Sequence, residues 1–210
     1  MRLVLLGAPG AGKGTQAELL CECLNIPTIS TGNILREAIA EGTEIGRRAK
    51  LLIDDGQLVP DDVIMHIVRE RLAKPDCAGG YILDGVPRTV AQAQSLIDLG
   101  IEIDHVISLE VADDAITARM AGRRVCPACG ASYHLVANPP KTEGRCDHCG
   151  GELTVRADDA PETVLHRLQV YHARTEALKS FYRELGKLRL VRGDQSIEDA
   201  HREILTVLGV

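Results

Sequence analysis

The sequence holds no tryptophan, one phenylalanine and four tyrosines in 210 residues. So small an aromatic share leaves no stacking platform for single-stranded nucleic acid. It also obliges the core to be built from leucine, isoleucine, valine and alanine. Surplus positive charge is missing too: 24 Lys and Arg stand against 30 Asp and Glu, a net charge of −6. A general grip on a polyanion needs a basic face, so no nucleic-acid partner is expected. No apolar run approaches the roughly 18 residues of a membrane span. The opening "MRLVLLGAPG" is broken by glycines too soon for a secretory signal. These absences predict a cytoplasmic protein with no membrane partner.

Cysteine is present seven times, and four of these, Cys126, Cys129, Cys146 and Cys149, form two CxxC pairs. In a reducing compartment that spacing favours a metal over disulfides. Each pair can form one knuckle, and four thiolates close a tetrahedral zinc site with no open position, hence a structural one. His134 and His148 lie nearby, and are expected to meet solvent or backbone instead of the metal. Cys21 and Cys23 point to different faces of a helix, and Cys77 is expected in a loop. All three read as small buried or neutral residues.

Strand-like runs occupy 2–7, 81–85, 104–111 and 187–193, with a short one at 27–30. Helical patterns cover 14–23, 31–41, 44–54, 61–73, 89–99, 113–121, 161–186 and 196–208. This alternation predicts an α/β fold, a parallel sheet flanked by helices on both faces. Pro161 suits a first helical position, and Asp158 and Asp159 place negative charge just before it. Residues 122–159 interrupt the rhythm and read as an insertion.

"GAPGAGKGTQ" follows the first strand and opens the first helix. Gly7, Gly10 and Gly12 let backbone N–H groups turn inward around an anion, and the helix N-terminus adds partial positive charge. Lys13 can then reach the β- and γ-phosphates of a nucleotide. Gly14 stands where a hydroxyl is usual, and the hydroxyl follows at Thr15. "YILDG" ends an apolar strand in Asp84, a carboxylate suited to hold Mg²⁺ through water; a loop or cap aspartate is the plainer reading.

Taken together, "GAPGAGKGTQ", "STGNILR", "GQLVP", "LDGVPRT" with "AQAQ", "GRRVC" and "VRADDAPETVLHRL" resemble the adenylate kinase family, in order and across nearly the whole chain. The resemblance implies a P-loop NTPase-type core with a helical AMP-binding insert and a zinc-bearing lid. It implies the reaction Mg·ATP + AMP = 2 ADP, so that ATP, AMP and ADP are the partners, Mg²⁺ and structural Zn²⁺ the cofactors, and a monomer the expected state. The implied boundaries are 1–29, 60–121 and 160–210 for the core, 30–59 for the AMP-binding region and 122–159 for the lid.

By the same resemblance, Gly10, Ala11, Gly12, Lys13, Gly14 and Thr15 cradle the ATP phosphates, joined by Arg119, Arg123, Ser132, Tyr133 and Gln195. Thr31 and Arg36 enter the AMP pocket, lined by Gln57, Leu58 and Val59. Gly85, Val86, Pro87 and Arg88 flank the AMP phosphate and base, Gln92 reads adenine, and Arg156 and Arg167 complete the AMP side. Lys13, Asp84, Arg88, Arg123, Arg156 and Arg167 are the implied catalytic set, positioning and neutralising the transferred phosphoryl group. Thr89 and Gln92 also have capping-box spacing, so a purely structural role for Gln92 stands beside the functional one. Asp158 and Asp159 either hold lid arginines or magnesium waters, or merely charge a helix start.

Two positions depart from the family pattern: Asn33 where an acidic residue is common, and Val86 where phenylalanine is common. The first loses a carboxylate near the phosphate path, the second aromatic surface beside the AMP site. Three alternatives remain. One is a kinase acting on GMP, CMP or UMP, or using GTP as donor, against which Thr31 and Gln92 favour adenine. Another is a zinc-ribbon nucleic-acid binder with a regulatory nucleotide loop. The last is a nucleotide-binding scaffold without turnover. An insert of under forty residues is too small for its own hydrophobic core, which is the reason a lid would carry zinc.

Overall fold

Leu3, Val4, Leu5 and Leu6 are all buried, so the first strand, β1 (Arg2–Gly7), is apolar on both faces. Such a strand belongs inside a parallel sheet covered on each side. The computed structural model describes all 210 residues and places it there. The other strands are β2 (Thr28–Ser30), β3 (Tyr81–Asp84), β4 (His105–Glu110), β5 (Arg123–Val125), β6 (Ser132–His134) and β7 (Leu188–Arg192). Five of them make one sheet in the order β2-β3-β1-β4-β7, with every pairing parallel.

Nine α-helices connect and cover the strands: α1 (Lys13–Leu24), α2 (Thr31–Ala40), α3 (Glu44–Asp54), α4 (Asp61–Leu72), α5 (Val90–Asp98), α6 (Asp113–Gly122), α7 (Pro161–Val170), α8 (Ala177–Glu184) and α9 (Ile197–Leu208). Several begin on side-chain caps. Ser30, Thr43, Thr89 and Ser196 each accept a backbone N–H of the first turn, which satisfies a donor the helix cannot. Because strand side chains alternate, Val4 and Leu6 enter one core of 20 buried residues while Leu3 and Leu5 enter a second of 18. Two hydrophobic layers therefore hold one sheet, as the strand–helix alternation predicts.

One expectation needs correcting. The stretch 161–186 is not a uniform α-helix: residues Tyr171–Thr175 form a π-helical turn between α7 and α8. One extra residue per turn rotates Thr175 inward, where its Oγ1 donates to the Arg88 carbonyl at 2.8 Å. π-turns of this kind concentrate at functional sites.

The insertion carries its own antiparallel pair, β5 with β6. Its stems are the end of α6 at Gly122 and the start of α7 at Pro161. His134 packs its ring so close to Gly122 that a Cβ there would collide with it. Its Nδ1 accepts from the backbone N–H of Val136 and Ala137 at 3.1 and 3.0 Å, so His134 meets backbone as expected. Cys77 is buried in a short 3₁₀ turn, Pro75–Cys77, instead of a loop. Cys21 is half-buried and Cys23 exposed.

Candidate active site

Between β1 and α1 the chain turns through Gly10 and Gly12, whose φ values of 83° and 98° lie in the left-handed region. Only glycine enters that region without cost. The first α1 N–H bonded to a carbonyl is that of Gln16, to Gly12 at 3.0 Å. The N–H groups of Lys13, Gly14 and Thr15 thus face outward at a helix N-terminus, the arrangement that binds phosphate. Lys13 Nζ donates to the carbonyls of Gly7 and Ala8 at 2.7 and 2.8 Å, which folds the lysine over the cradle.

In front of this loop lies a cavity that opens to solvent and mixes cationic, polar and apolar lining residues. Lys13, Thr31, Arg36, Gln57, Leu58, Val59, Gly85, Pro87, Arg88, Gln92, Arg156 and Arg167 all line it. Val86 does not: it is fully buried in the hydrophobic core, so its smaller side chain is a packing matter and not an exposed pocket wall. Of the remaining expected residues, Gly10, Ala11, Gly12, Gly14 and Thr15 form the loop beside the cavity. Arg119 stays half-buried on α6. Gln195 is held outside by donating to the Arg192 carbonyl at 2.9 Å. Asp84 ends β3, where Ser30 Oγ donates to its carboxylate at 3.4 Å.

Sequence reading missed Leu35, Ile53 and Ile64, which form an apolar wall from α2, α3 and α4. Their amphipathic spacing marks a buried face, but not that this face borders a cavity. It also missed Thr175, for which a π-turn leaves no sequence signal.

Burial of so many cations in one place is costly, and the titration shifts report it. Burial, followed by neighbouring arginines, lowers Lys13 to about 8 even though Asp84 opposes the change. Arg36 falls to about 9 and Arg167 to about 10, first through burial, and Arg88 is lowered for the same reason. Guanidinium groups stay protonated. Each depression reflects the cost of burying a cation there, a cost that a bound anion would offset.

Two carboxylates hold the arginines in place. Asp159 accepts from Arg123 Nε at 2.7 Å and from Arg167 at 3.4 Å. Asp158 accepts from Arg156 Nε at 2.8 Å and pairs with Arg167 Nη1 at 2.9 Å. Both sit in the turn Ala157–Asp159 ahead of α7, so they hold the arginines and precede the helix at once. Burial alone would raise Asp158, but the hydrogen bond and charge of Arg156, with Arg167 and Arg123, bring it down to about 2.

A group depressed in the folded state stabilises the fold above its unfolded pKa and loses that contribution as pH falls through its folded one. Relative to an ordinary value of 3.8, Asp158 should contribute about 2 kcal/mol, lost between roughly pH 4 and 2. Acid titration of unfolding free energy should show a correspondingly shallower slope over that interval in Asp158→Asn.

The Arg88 backbone is fastened on both sides. Its N–H donates to Gln92 Oε1 at 2.7 Å and its carbonyl accepts from Thr175. Its Nε donates to the Gly85 carbonyl at 2.9 Å, which also accepts from Thr31 Oγ1 at 3.1 Å. Gln92 is thus both a cap element, its N–H bonded to Thr89 Oγ1 at 3.1 Å, and a cavity residue. Asn33 takes a definite role: its Oδ1 accepts from Arg36, and its amide nitrogen lies beside Gly130 of the first CxxC knuckle. The insertion therefore lies against α2 at this point.

In the insertion, the four sulfurs of Cys126, Cys129, Cys146 and Cys149 all lie within 4.8 Å of one another. An all-thiol tetrad of this size fits zinc. Tyr133 is buried beside it, its hydroxyl accepting from the Asp147 N–H at 2.8 Å and lying 3.5 Å from Cys146 Sγ. Its side chain serves the knuckle, and neither Tyr133 nor the half-buried Ser132 lines the cavity. His148 is exposed.

Comparison with known proteins agrees with this geometry. The adenylate kinase family model matches residues 5–187. The chain is 52% identical over 214 residues to the adenylate kinase of Caldicellulosiruptor bescii, covering 100% of both proteins. It is 51% identical over 212 residues to that of Acetivibrio thermocellus, covering 99% of this chain and 98% of the relative. With the adenylate kinase of a Geobacillus species it shares 53% over 213 residues, covering 100% and 99%. A phosphate loop, an arginine-lined cavity and likeness along the whole chain converge on one conclusion: this protein belongs to the adenylate kinase family.

Proposed function

We propose that the protein catalyses reversible phosphoryl transfer, ATP + AMP = 2 ADP. The observation that carries this reading is the single cavity in which Lys13, Arg36, Arg88, Arg156 and Arg167 meet beside an apolar wall and Gln92. ATP enters over the phosphate loop, its phosphates taken by the N–H groups of residues 10–15 and by Lys13. AMP enters between α2, α3 and the segment 85–92, its phosphate on Arg36 and Arg88. Arg123, Arg156 and Arg167, aimed by Asp158 and Asp159, neutralise charge that develops on the transferred group. Such transfer needs positioning and electrostatics, with no covalent intermediate.

Asp84 at the end of β3 and the Thr15 hydroxyl in the first turn of α1 present hard oxygen donors, which suits Mg²⁺. When bound with ATP, the ion neutralises charge on the β- and γ-phosphates. The four lid thiolates would hold a structural zinc ion. We assign residues 1–29, 60–121 and 160–210 to the core, 30–59 to the AMP-binding region and 122–159 to the lid, whose closure keeps water from the phosphates. The separate β5–β6 sheet inside 122–159 and the α2–α3 pair inside 30–59 support this division. No helix is long and apolar enough to cross a membrane, and we take the enzyme to act in the cytoplasm as a monomer.

³¹P NMR of the protein with Mg·ATP and each nucleoside monophosphate in turn tests the reading. ADP is expected with AMP, without free phosphate. Transfer only to another monophosphate would displace AMP as the acceptor, and free phosphate would show that the lid does not exclude water.

A further inference from the structure

Gln92 is only 1% exposed, and the protein itself occupies both ends of its amide. Arg88 donates its backbone N–H to Gln92 Oε1 at 2.7 Å, while Gln92 Nε2 donates to Asp61 Oδ1 at 2.7 Å. The second Asp61 oxygen accepts from Thr89 Oγ1 at 3.1 Å, and Thr89 in turn receives the Gln92 N–H. The orientation of this amide follows from its partners alone. A backbone N–H can only donate, and an ionised carboxylate can only accept. Turning the amide by 180° would set NH₂ against N–H and C=O against carboxylate, two buried repulsions in place of two hydrogen bonds.

A glutamine free to turn reads two purines equally well. Adenine offers a donor at N6 and an acceptor at N1; hypoxanthine offers an acceptor at O6 and a donor at N1. In either orientation the amide matches one of them. After its internal bonds, Gln92 keeps one N–H and one lone pair, with their order fixed. We propose that Asp61, at the start of α4, is a specificity-determining positioning residue. Acting through Gln92, it makes the monophosphate site accept 6-amino purines and reject 6-oxo purines. This rests on reading the cavity as the AMP site. Asp61 touches no substrate; its influence is the polarity it imposes on Gln92.

The test compares kcat/KM for AMP and for IMP, with Mg·ATP as donor, in the wild-type enzyme, Asp61→Asn and Asp61→Ala. Asparagine keeps the shape but can donate as well as accept, so it no longer enforces one orientation; alanine removes the partner outright and serves if the asparagine variant folds poorly. Wild type should prefer AMP by at least about 100-fold. Loss of one charge-assisted lock should shrink that ratio by about 10- to 100-fold. The change should appear as a higher KM for AMP and a lower KM for IMP, with kcat for AMP moving less. An equal loss on both nucleotides, or an unchanged ratio in both variants, would mean that Asp61 is merely structural and would overturn the proposal. Wild-type enzyme that fails to phosphorylate AMP would instead overturn the functional reading on which it rests.

Discussion

Lys13→Met should lower kcat by about 10³-fold or more, the scale on which a single phosphate-directed cation acts in phosphoryl transfer, while thermal unfolding barely moves. The two effects separate because Lys13 makes no hydrogen bond or ion pair outside its own loop. Its ammonium donates only to the Gly7 and Ala8 carbonyls of its own loop. Methionine keeps the aliphatic stem and removes the charge, so the cradle persists but the β- and γ-phosphates lose their cation. The pH profile offers an independent check. Burial, with Arg88, Arg167 and Arg123 against Asp84, places Lys13 at about 8. In the free enzyme it therefore loses its proton as pH rises through that value, and kcat/KM should fall on the alkaline side. kcat should hold to higher pH, because bound phosphates stabilise the ammonium. A Lys13→Met enzyme with near-normal turnover would remove the phosphate loop from the chemistry.

Metal removal should be as damaging, by a different route. The core of the 122–159 insertion, the proposed lid, is only Cys126, Ala131, Tyr133 and Cys146 with Leu153 packed against them, whereas the main body holds clusters of 20 and 18 buried residues. Four buried residues cannot outweigh the conformational entropy of a segment approaching forty residues. Structural zinc in small finger peptides supplies about 10–16 kcal/mol of apparent binding energy at neutral pH. Chelation, or Cys146→Ser, is thus expected to unfold the lid alone. Helical circular dichroism should persist, while phosphoryl transfer falls at least about 100-fold as water exclusion and the positions of Arg123 and Arg156 are lost. Elemental analysis should find one zinc per chain in the native protein. Full activity without metal would show that the thiol tetrad is dispensable to closure.

These predictions differ in how early they become visible. The phosphate loop is legible from residues 7–15 because its chemistry is local: glycines at fixed offsets, a lysine, and a strand-to-helix turn. The paired CxxC motifs are legible for a similar reason, since each knuckle needs only four consecutive residues. Strand and helix order follow from hydrophobic period, and the central place of β1 from its unbroken apolar run. Resemblance to a family supplied the arginines, which no periodic pattern distinguishes from solvated surface charge.

What tertiary structure alone decided are relations between residues far apart in the chain. Arg123 meets Asp159 across 36 positions, and Thr175 meets the Arg88 carbonyl across 87. The Asp61 carboxylate meets Gln92 across 31. In the sequence, Asp61 is indistinguishable from any acidic residue at a helix start. Val86, expected beside the AMP pocket, is fully buried in the core instead. Local composition determined which groups this protein has to handle phosphate and metal. Long-range packing decided which of them face the cavity, and in which orientation, because hydrogen-bond polarity is imposed by partners that the chain only brings together on folding.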